Sequence, residues 1–451
     1  MSNSDHIEIR VPANLRMLLL EGVAFRGSDE PAVFALASHA KLLDKTLLLI
    51  KKIIPLPDHA YVDAQGHGAK WQGRAMLPIL NEALAEDLGV LIFHSHPHPG
   101  PVRLSGDDRQ SASRLLPVFQ TINPGRPHAS IVLGETHTAG MVLKPESSTF
   151  LENVKVRWLG RIVNDFTCHE DTSAPAVGDV HRAQALLIGG VGQNKIRRAR
   201  AAVVGLSGGG SHVVQQLAHI GIGTIAGIDN DRVESSNRSR LIGMTARDSF
   251  FRRRKTTVMA RMVRRINSAV QFIPVPDAVP KQEAIEAIKE SDIVVGCLDN
   301  YHARADVQEI AWRYMIPYVD IGLSIRPNNT GSGVAIGGNV LTLVPGRFCQ
   351  WCIDFLSDEK LAAETGGRPR SYFQGSEKQA QVVSMNGVLA SQAVNEVLQL
   401  LTGFAPTVED MGIKKFDGLD GTLTKWRVKN KAECQMCGRT LGAGDTVWRP
   451  A

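Results

Sequence analysis

Two histidines one residue apart close an apolar run, Val90-Leu91-Ile92-Phe93-His94-Ser95-His96-Pro97. On an extended strand, residues i and i+2 share a face, so both imidazoles can reach one metal ion. After a short loop, Ser105-Gly106-Asp107-Asp108 offers a carboxylate on the next turn. Two nitrogens and one oxygen leave a fourth position open for water, as in a catalytic rather than a structural zinc site. The same residues also read as a helix start, with Ser105 as N-cap and Asp108 closing a capping box.

A second set is built for phosphate. The β-rich run Ala201–Val204 meets Gly205-Leu206-Ser207-Gly208-Gly209-Gly210, then a helical segment Ser211–Ile220 and a strand Thr224–Ile228 ending at Asp229. Glycines let the backbone approach phosphates at a helix N-terminus, and the terminal carboxylate can bind ribose hydroxyls. Taken alone, this unit fits an NAD-dependent oxidoreductase as well as an ATP-using enzyme. A third set is Cys349-Gln350-Trp351-Cys352 with Cys434-Gln435-Met436-Cys437. Four thiolates so spaced make a closed tetrahedral structural zinc site, the alternative being two redox pairs. Cys168 and Cys297 stand apart from these knuckles, Cys297 reading as a buried strand end.

The surrounding chain must position these groups. Its 451 residues accommodate two or three domains. With 43% hydrophobic and 21% charged residues it has the composition of an ordinary globular protein, not a disordered one. No apolar stretch reaches the length of a membrane span, and the N-terminus has no secretion-signal pattern, so a cytoplasmic location is expected. The net charge of +6 is mild. The clusters Arg252-Arg253-Arg254-Lys255 and Arg197-Arg198 carry no interleaved aromatic stripe, which argues against nucleic acid and reads as a solvated basic face or one meeting an acidic protein partner or ATP phosphates. Residues 1–155 follow an α+β order: a helix over Pro12–Glu21, strands over Val33–Ala37, Leu47–Ile54 and Val90–His94, a helix from Ser105 to Leu116, and strands over Ser130–Leu133 and Gly140–Leu143. Residues 156–180 are polar, contain Pro and Gly, and read as a linker. From 181 to 451 the order becomes α/β and Rossmann-like, with a helix from Lys255 to Ile266 and a strand over Asp292–Val295.

The first motif resembles the signature of JAMM/MPN+ metalloproteases, H-x-H-P followed by S-x-x-D. The resemblance implies His94, His96 and Asp108 as catalytic zinc ligands, with Asp107 the lesser choice of carboxylate. It implies Ser105 as stabiliser of the tetrahedral intermediate and an upstream glutamate as general base, for which Glu30 is preferred over Glu21.

The second half resembles the ThiF/MoeB and ubiquitin-activating superfamily. The shared motifs are Asp229-x-Asp231-x-Val233-x-x-Ser236-Asn237-x-x-Arg240, the later Cys297-Leu298-Asp299-Asn300, and the lead-in Arg182…Gly192-Gln193-x-Lys195. The resemblance implies adenylation: a carboxylate attacks the α-phosphate of ATP and expels pyrophosphate. Arg240 and Lys255 then face the phosphates, Asp231 the ribose and Asp299 the Mg2+, with Gly205, Ser207, Gly208, Gly210, Asp229 and Asn237 completing the nucleotide site. Arg182 matches an arginine that relatives donate across a homodimer. Relatives also carry the paired cysteine knuckles, and many carry a nucleophilic cysteine beyond the first one. Here that region holds Ser376 instead, so no thioester on this chain is expected, and the resemblance implies transfer of the adenylate directly to a partner's thiol or to sulfide.

Together the resemblances imply two activities on one substrate, a ubiquitin-like or sulfur-carrier β-grasp protein with a Gly-rich C-terminus. The first domain would trim the tail or remove the modifier, and the second would activate the exposed carboxylate. The reading favoured from sequence is a bacterial ubiquitin-like conjugation pathway with a conjugating enzyme. Sulfur-carrier activation for thiocarboxylate formation is the alternative, and a non-catalytic modifier-binding scaffold the alternative of another class.

Overall fold

The computed structural model describes residues 6–24, 31–62, 70–96, 100–167, 178–327, 333–365, 380–405, 412–428, 431 and 433–446. Its contacts divide into two units. The first comprises Met1–Ser173, Arg313–Met315 and Arg439–Ala451, and the second Ala174–Trp312 and Ile316–Gly438. No helix among the described residues is long and apolar enough to cross a membrane.

Unit 1 is a nine-stranded sheet with helices. Its strands are β1 (His6–Val11), β2 (Val33–Lys41), β3 (Lys45–Pro55), β4 (Gly89–Ser95), β5 (His128–Leu133), β6 (Thr138–Leu143), β7 (Phe150–Leu151), β8 (Val154–Trp158) and β9 (Asn164–Thr167). They run in the order β7-β6-β5-β4-β2-β3-β1-β8-β9. The helices are α1 (Arg16–Gly22), α2 (Leu77–Ala85) and α3 (Gly106–Ile122). β2, β4 and β5 are largely buried on both faces, in keeping with their mostly apolar sequences. Phe34, Leu36, Ile92, Leu116 and Phe119 pack one side, and Ile9, Leu48, Phe93 and Trp158 the other. Strands β8 and β9 extend this sheet into the stretch for which a linker is expected. Their pattern conceals them, because the face shared by Glu8, Arg10, Lys155 and Arg157 is charged yet largely buried. Glu8 receives Arg10 at 2.8 Å, Lys45 at 3.1 Å and Arg157 at 3.4 Å. Burial would raise the Glu8 carboxyl, but these cations hold it well below the usual carboxylate range.

The last described residues return to this unit. Arg313 Nη2 donates to the Gly444 carbonyl (3.1 Å), Tyr314 Oη to Asp445 (3.0 Å), and the Lys41 amide to Asp445 (2.9 Å). Arg10 donates to the Tyr314 carbonyl at 2.6 Å.

Unit 2 opens with α4 (Arg182–Arg198) and alternates β10 (Arg200–Val204), α5 (Gly208–Ile220), β11 (Thr224–Ile228), α6 (Ala246–Phe250), α7 (Lys255–Ile266), β12 (Gln271–Val275), α8 (Gln282–Lys289), β13 (Ile293–Gly296), α9 (Tyr301–Arg313) and β14 (Tyr318–Pro327). It continues through β15 (Val334–Leu343), α10 (Asp358–Thr365), α11 (Val383–Thr402), β16 (Ile413–Asp417), β17 (Thr422–Trp426) and α12 (Gln435–Thr440). The sheet order is β12-β11-β10-β13-β14-β15-β16-β17. The first five strands are parallel and the rest antiparallel. Strand order reverses between β10 and β13, which places a crevice at the carboxyl ends of those strands, where open α/β sheets bind ligands.

Candidate functional site

A cleft of about 1000 Å³ occupies that crevice. The loop after β10 supplies Gly205, Ser207 and Gly208, and the loop after β11 supplies Asp229 and Asp231. Asn237, Arg240 and Lys255 come from the segment leading into α7, and Asp299 from the loop after β13. Nine residues proposed from sequence as parts of a nucleotide site thus line one cavity.

Gly205 adopts φ +86°, and a Cβ there would meet the Cys297 carbonyl at 2.5 Å. Only glycine lets the first loop turn so close to the β13 loop. Ser207 starts α5 without a side-chain cap, so the amides of the first turn face the cleft available to an anion. Gly210 does not line the cavity. A Cβ on it would lie 1.8 Å from the Gly205 carbonyl, so it serves close packing of helix on loop.

The end of β11 is held by one carboxylate. Asp229 Oδ2 accepts the Leu206 amide at 2.8 Å and Lys255 Nζ at 3.2 Å, and Oδ1 accepts the Asp231 amide at 2.8 Å. Burial raises the Asp229 carboxyl, against the Lys255 ammonium and the two amides. Burial also opposes the charge on Lys255, but Asp229 and Asp231 outweigh it and raise its pKa, so the ammonium stays protonated. Lys255 Nζ also donates to Asp231 Oδ2 at 2.8 Å. Asp229 therefore organises the glycine loop, while the Asp231 side chain remains 63% exposed at the cleft. Asn237 caps the short turn before Arg240 by accepting the Glu234 amide at 2.9 Å, and Arg240 donates to the Ser236 carbonyl at 2.8 Å.

Asp299 is exposed between two anchors. Asn300 Oδ1 accepts the Ala303 amide at 2.7 Å and starts α9. On the other side lies a buried group that sequence reasoning missed. Arg304 pairs with Asp320 and donates to the Leu298 carbonyl and, at 3.0 Å, to the Ile321 carbonyl. Tyr318 donates to Asp320 at 2.7 Å, and burial pushes the Asp320 carboxyl up to about 6 against the pull of Arg304. Arg304 thus fixes the loop carrying Asp299. Its sequence signal, one arginine in a polar helical stretch, also fits a solvated face. Arg182 lies away from the cleft at the start of α4, 82% exposed and 4.0 Å from Asp179. Of the basic cluster read as a solvated face, Arg252 and Arg254 line the cleft. Ser376 lies outside the described residues, as does Cys168.

The four cysteines converge. Cys349 Sγ lies 3.6 Å from Cys352 and from Cys434, and Cys352 lies 3.6 Å from Cys437. Sulfurs on a tetrahedron with zinc–sulfur bonds of about 2.3 Å stand about 3.8 Å apart, so this donor set fits zinc and not two disulfides.

In unit 1 the histidine motif and the following helix also meet. His94, at the end of β4, places Nε2 3.0 Å from Asp108 Oδ1, and His96 places Nε2 3.7 Å from Asp108 Oδ2. The three donor atoms lie within 4.8 Å of one another and could hold one metal ion. The capping box forms as well: Asp108 Oδ2 accepts the Ser105 amide and hydroxyl, both at 2.7 Å, while Ser105 Oγ accepts the Asp108 amide at 3.1 Å. The two readings of this string are therefore compatible, because the cap that starts α3 also orients Asp108 toward the histidines. Burial would raise the Asp108 carboxyl, but His94 and Ser105 hold it well below the usual carboxylate range. Asp107 is not part of the cluster. Glu30 lies outside the described residues, and Glu21 lies in α1.

Comparison with known proteins bears on unit 2. The ThiF family model matches residues 181–437. The chain is 24% identical over 250 residues to the sulfur carrier protein ThiS adenylyltransferase of Escherichia coli (strain K12), spanning 55% of this chain and 89% of that protein. It is 27% identical over 260 residues to the SAMP-activating enzyme E1 of Haloferax volcanii, spanning 58% and 87%. It is 31% identical over 271 residues to the sulfur carrier protein adenylyltransferase of Thermus thermophilus, spanning 58% and 90%. The family match includes none of residues 1–180, so the JAMM/MPN+ resemblance rests on the residues of unit 1 themselves. With a family model over more than half of its residues and the nucleotide loops in one cleft, the chain belongs to the ThiF family.

Proposed function

We propose that unit 2 adenylates the C-terminal carboxylate of a small sulfur-carrier protein of the ubiquitin-like kind. The observation that carries this reading is the convergence of Gly205, Asp231, Arg240, Lys255 and Asp299 on one cleft. The names of three relatives, two of which act on sulfur carriers, favour this substrate over the conjugation pathway preferred from sequence.

In this reading the α5 N-terminus and the cations of Lys255 and Arg240 receive the ATP phosphates, and Asp231 receives the ribose. The carrier carboxylate attacks the α-phosphorus, the α–β phosphoanhydride breaks, and pyrophosphate leaves with the electron pair. Negative charge grows on the phosphates during this step, so fixed cations stabilise the transition state more than the ground state. Asp299 would hold Mg2+, and that ion would supply countercharge to the phosphates. Arg182, exposed at the head of α4, suits donation to the cleft of a second copy in a homodimer.

The test is ATP–pyrophosphate exchange with candidate carriers. Exchange should require a carrier ending in glycine and vanish in Asp299→Ala and Arg240→Ala. Supplying a sulfur donor should then yield a thiocarboxylated carrier. Unchanged exchange in both variants removes the assignment, and a protein conjugate without thiocarboxylate restores the conjugation pathway.

A second reading concerns unit 1, and the His94–His96–Asp108 cluster favours it. Two imidazoles and a carboxylate suit a catalytic zinc, which would supply Lewis acidity and an activated water. Ser105, whose hydroxyl here donates to Asp108, is the proposed stabiliser of the developing oxyanion once it turns to the substrate, and Glu30 is the proposed base. The substrate would be the extended tail of a carrier precursor or conjugate. His96→Ala should lower bound zinc by one equivalent per chain and abolish tail cleavage. Glu30→Ala should keep the zinc and lose cleavage, whereas full cleavage by that variant excludes Glu30.

A further inference from the structure

One residue at the cleft holds a backbone conformation unsuited to its type. Helix α6 ends at Phe250, and Arg252 follows with φ +45°. The Arg252 amide donates to the Ser249 carbonyl at 3.1 Å, and the Arg253 amide to the Asp248 carbonyl at 3.0 Å. This is the paired bonding of a Schellman termination, whose left-handed position favours glycine or asparagine. A β-carbon there is strained. The turn is rigid as well. Asp248 is buried and receives Arg261 at 2.6 Å and Thr245 Oγ1 at 2.7 Å, and Arg232 donates to the Arg252 carbonyl at 3.0 Å.

Helix termination explains the conformation but not the arginine. Arg252 is among the residues that line the nucleotide cleft, with Asp231, Arg232, Arg254 and Lys255. Strain retained at a ligand-lining position points from conformation to function. We propose that Arg252 is a further nucleotide-binding residue, whose guanidinium contacts the phosphates of ATP and whose left-handed backbone is kept for that contact. The proposal rests on the adenylation reading above. It turns the end of α6 from a surface turn into one wall of the nucleotide site, with the charge delivered from a fixed backbone.

The substitution that separates the two roles is Arg252→Gly, which relieves the backbone and removes the charge. Binding of a non-hydrolysable ATP analogue to the full chain should weaken about tenfold, the effect of losing a charge-assisted hydrogen bond. Adenosine binding should change by less than twofold, and the melting temperature should rise by about 2 °C. Arg252→Lys, which keeps charge and strain, should bind the analogue with intermediate affinity and melt like the parent. Analogue affinity within twofold of the parent in Arg252→Gly overturns the proposal, and so does a lower melting temperature in that variant. A parent chain that binds no ATP analogue removes the adenylation reading itself, and Arg252 with it.

Discussion

Lys255→Met is expected to lower ATP–pyrophosphate exchange by about 10²- to 10³-fold, the usual cost of removing one fixed donor from a developing charge. It should also destabilise unit 2, because Lys255 is the cation paired with the buried Asp229 carboxylate. The instability has a direction in pH. Burial already raises Asp229 in the parent, and losing the ammonium raises it further. A carboxyl whose folded pKa exceeds its unfolded value contributes stability below the unfolded value and loses it as pH rises through the folded one. The variant should therefore lose more stability relative to the parent at pH 8 than at pH 5. Thermal unfolding across that range, beside exchange assays at fixed pH, reads both effects. Equal destabilisation at the two pH values would show that Asp229 does not depend on Lys255.

Loss of the cysteine cluster should have the larger effect on folding. Cys349 and Cys352 precede α10, and Cys434 and Cys437 flank the start of α12, so one ion would close a long loop including β16 and β17. Structural zinc in small sites contributes on the order of 10 kcal/mol to folding. Cys349→Ser should lose one equivalent of zinc and expose this region to protease, while β10 to α9 stays protected. Strong chelation of the parent should reproduce the effect. A variant that retains zinc and its protease resistance would contradict the structural assignment.

The nucleotide half was legible because its signals are local. The apolar run Ala201–Val204 before glycines marks β10, and α7 begins and ends where its sequence indicates, Lys255 to Ile266. The chemistry of Asp229 was less legible. Sequence spacing marks it as a ribose ligand, yet its oxygens are engaged by two amides and a lysine that folding brings from elsewhere. Arg304 and Asp320 escaped notice for the same reason, since a buried pair sixteen residues apart leaves no periodic trace. In unit 1 the central apolar strands were readable, whereas β1 and β8 bury the charges of Glu8, Arg10 and Arg157 where the alternation rule expects apolar side chains. The His94–Asp108 cluster was recognised from its residue types, and the capping box set beside it as a rival proved to be its support.

The return of the C-terminal residues to the first sheet has a consequence for how this chain came together and how it can be taken apart. Ser38 donates to the Gly442 carbonyl, and Arg10 to that of Tyr314, so groups in the first sheet find partners hundreds of residues later. A fragment ending near residue 180 would leave these donors bare. Unit 1 is therefore assembled from residues that lie far apart in the chain. No single cut of the chain separates the two units, because unit 1 includes Arg313–Met315 and Arg439–Ala451 as well as Met1–Ser173.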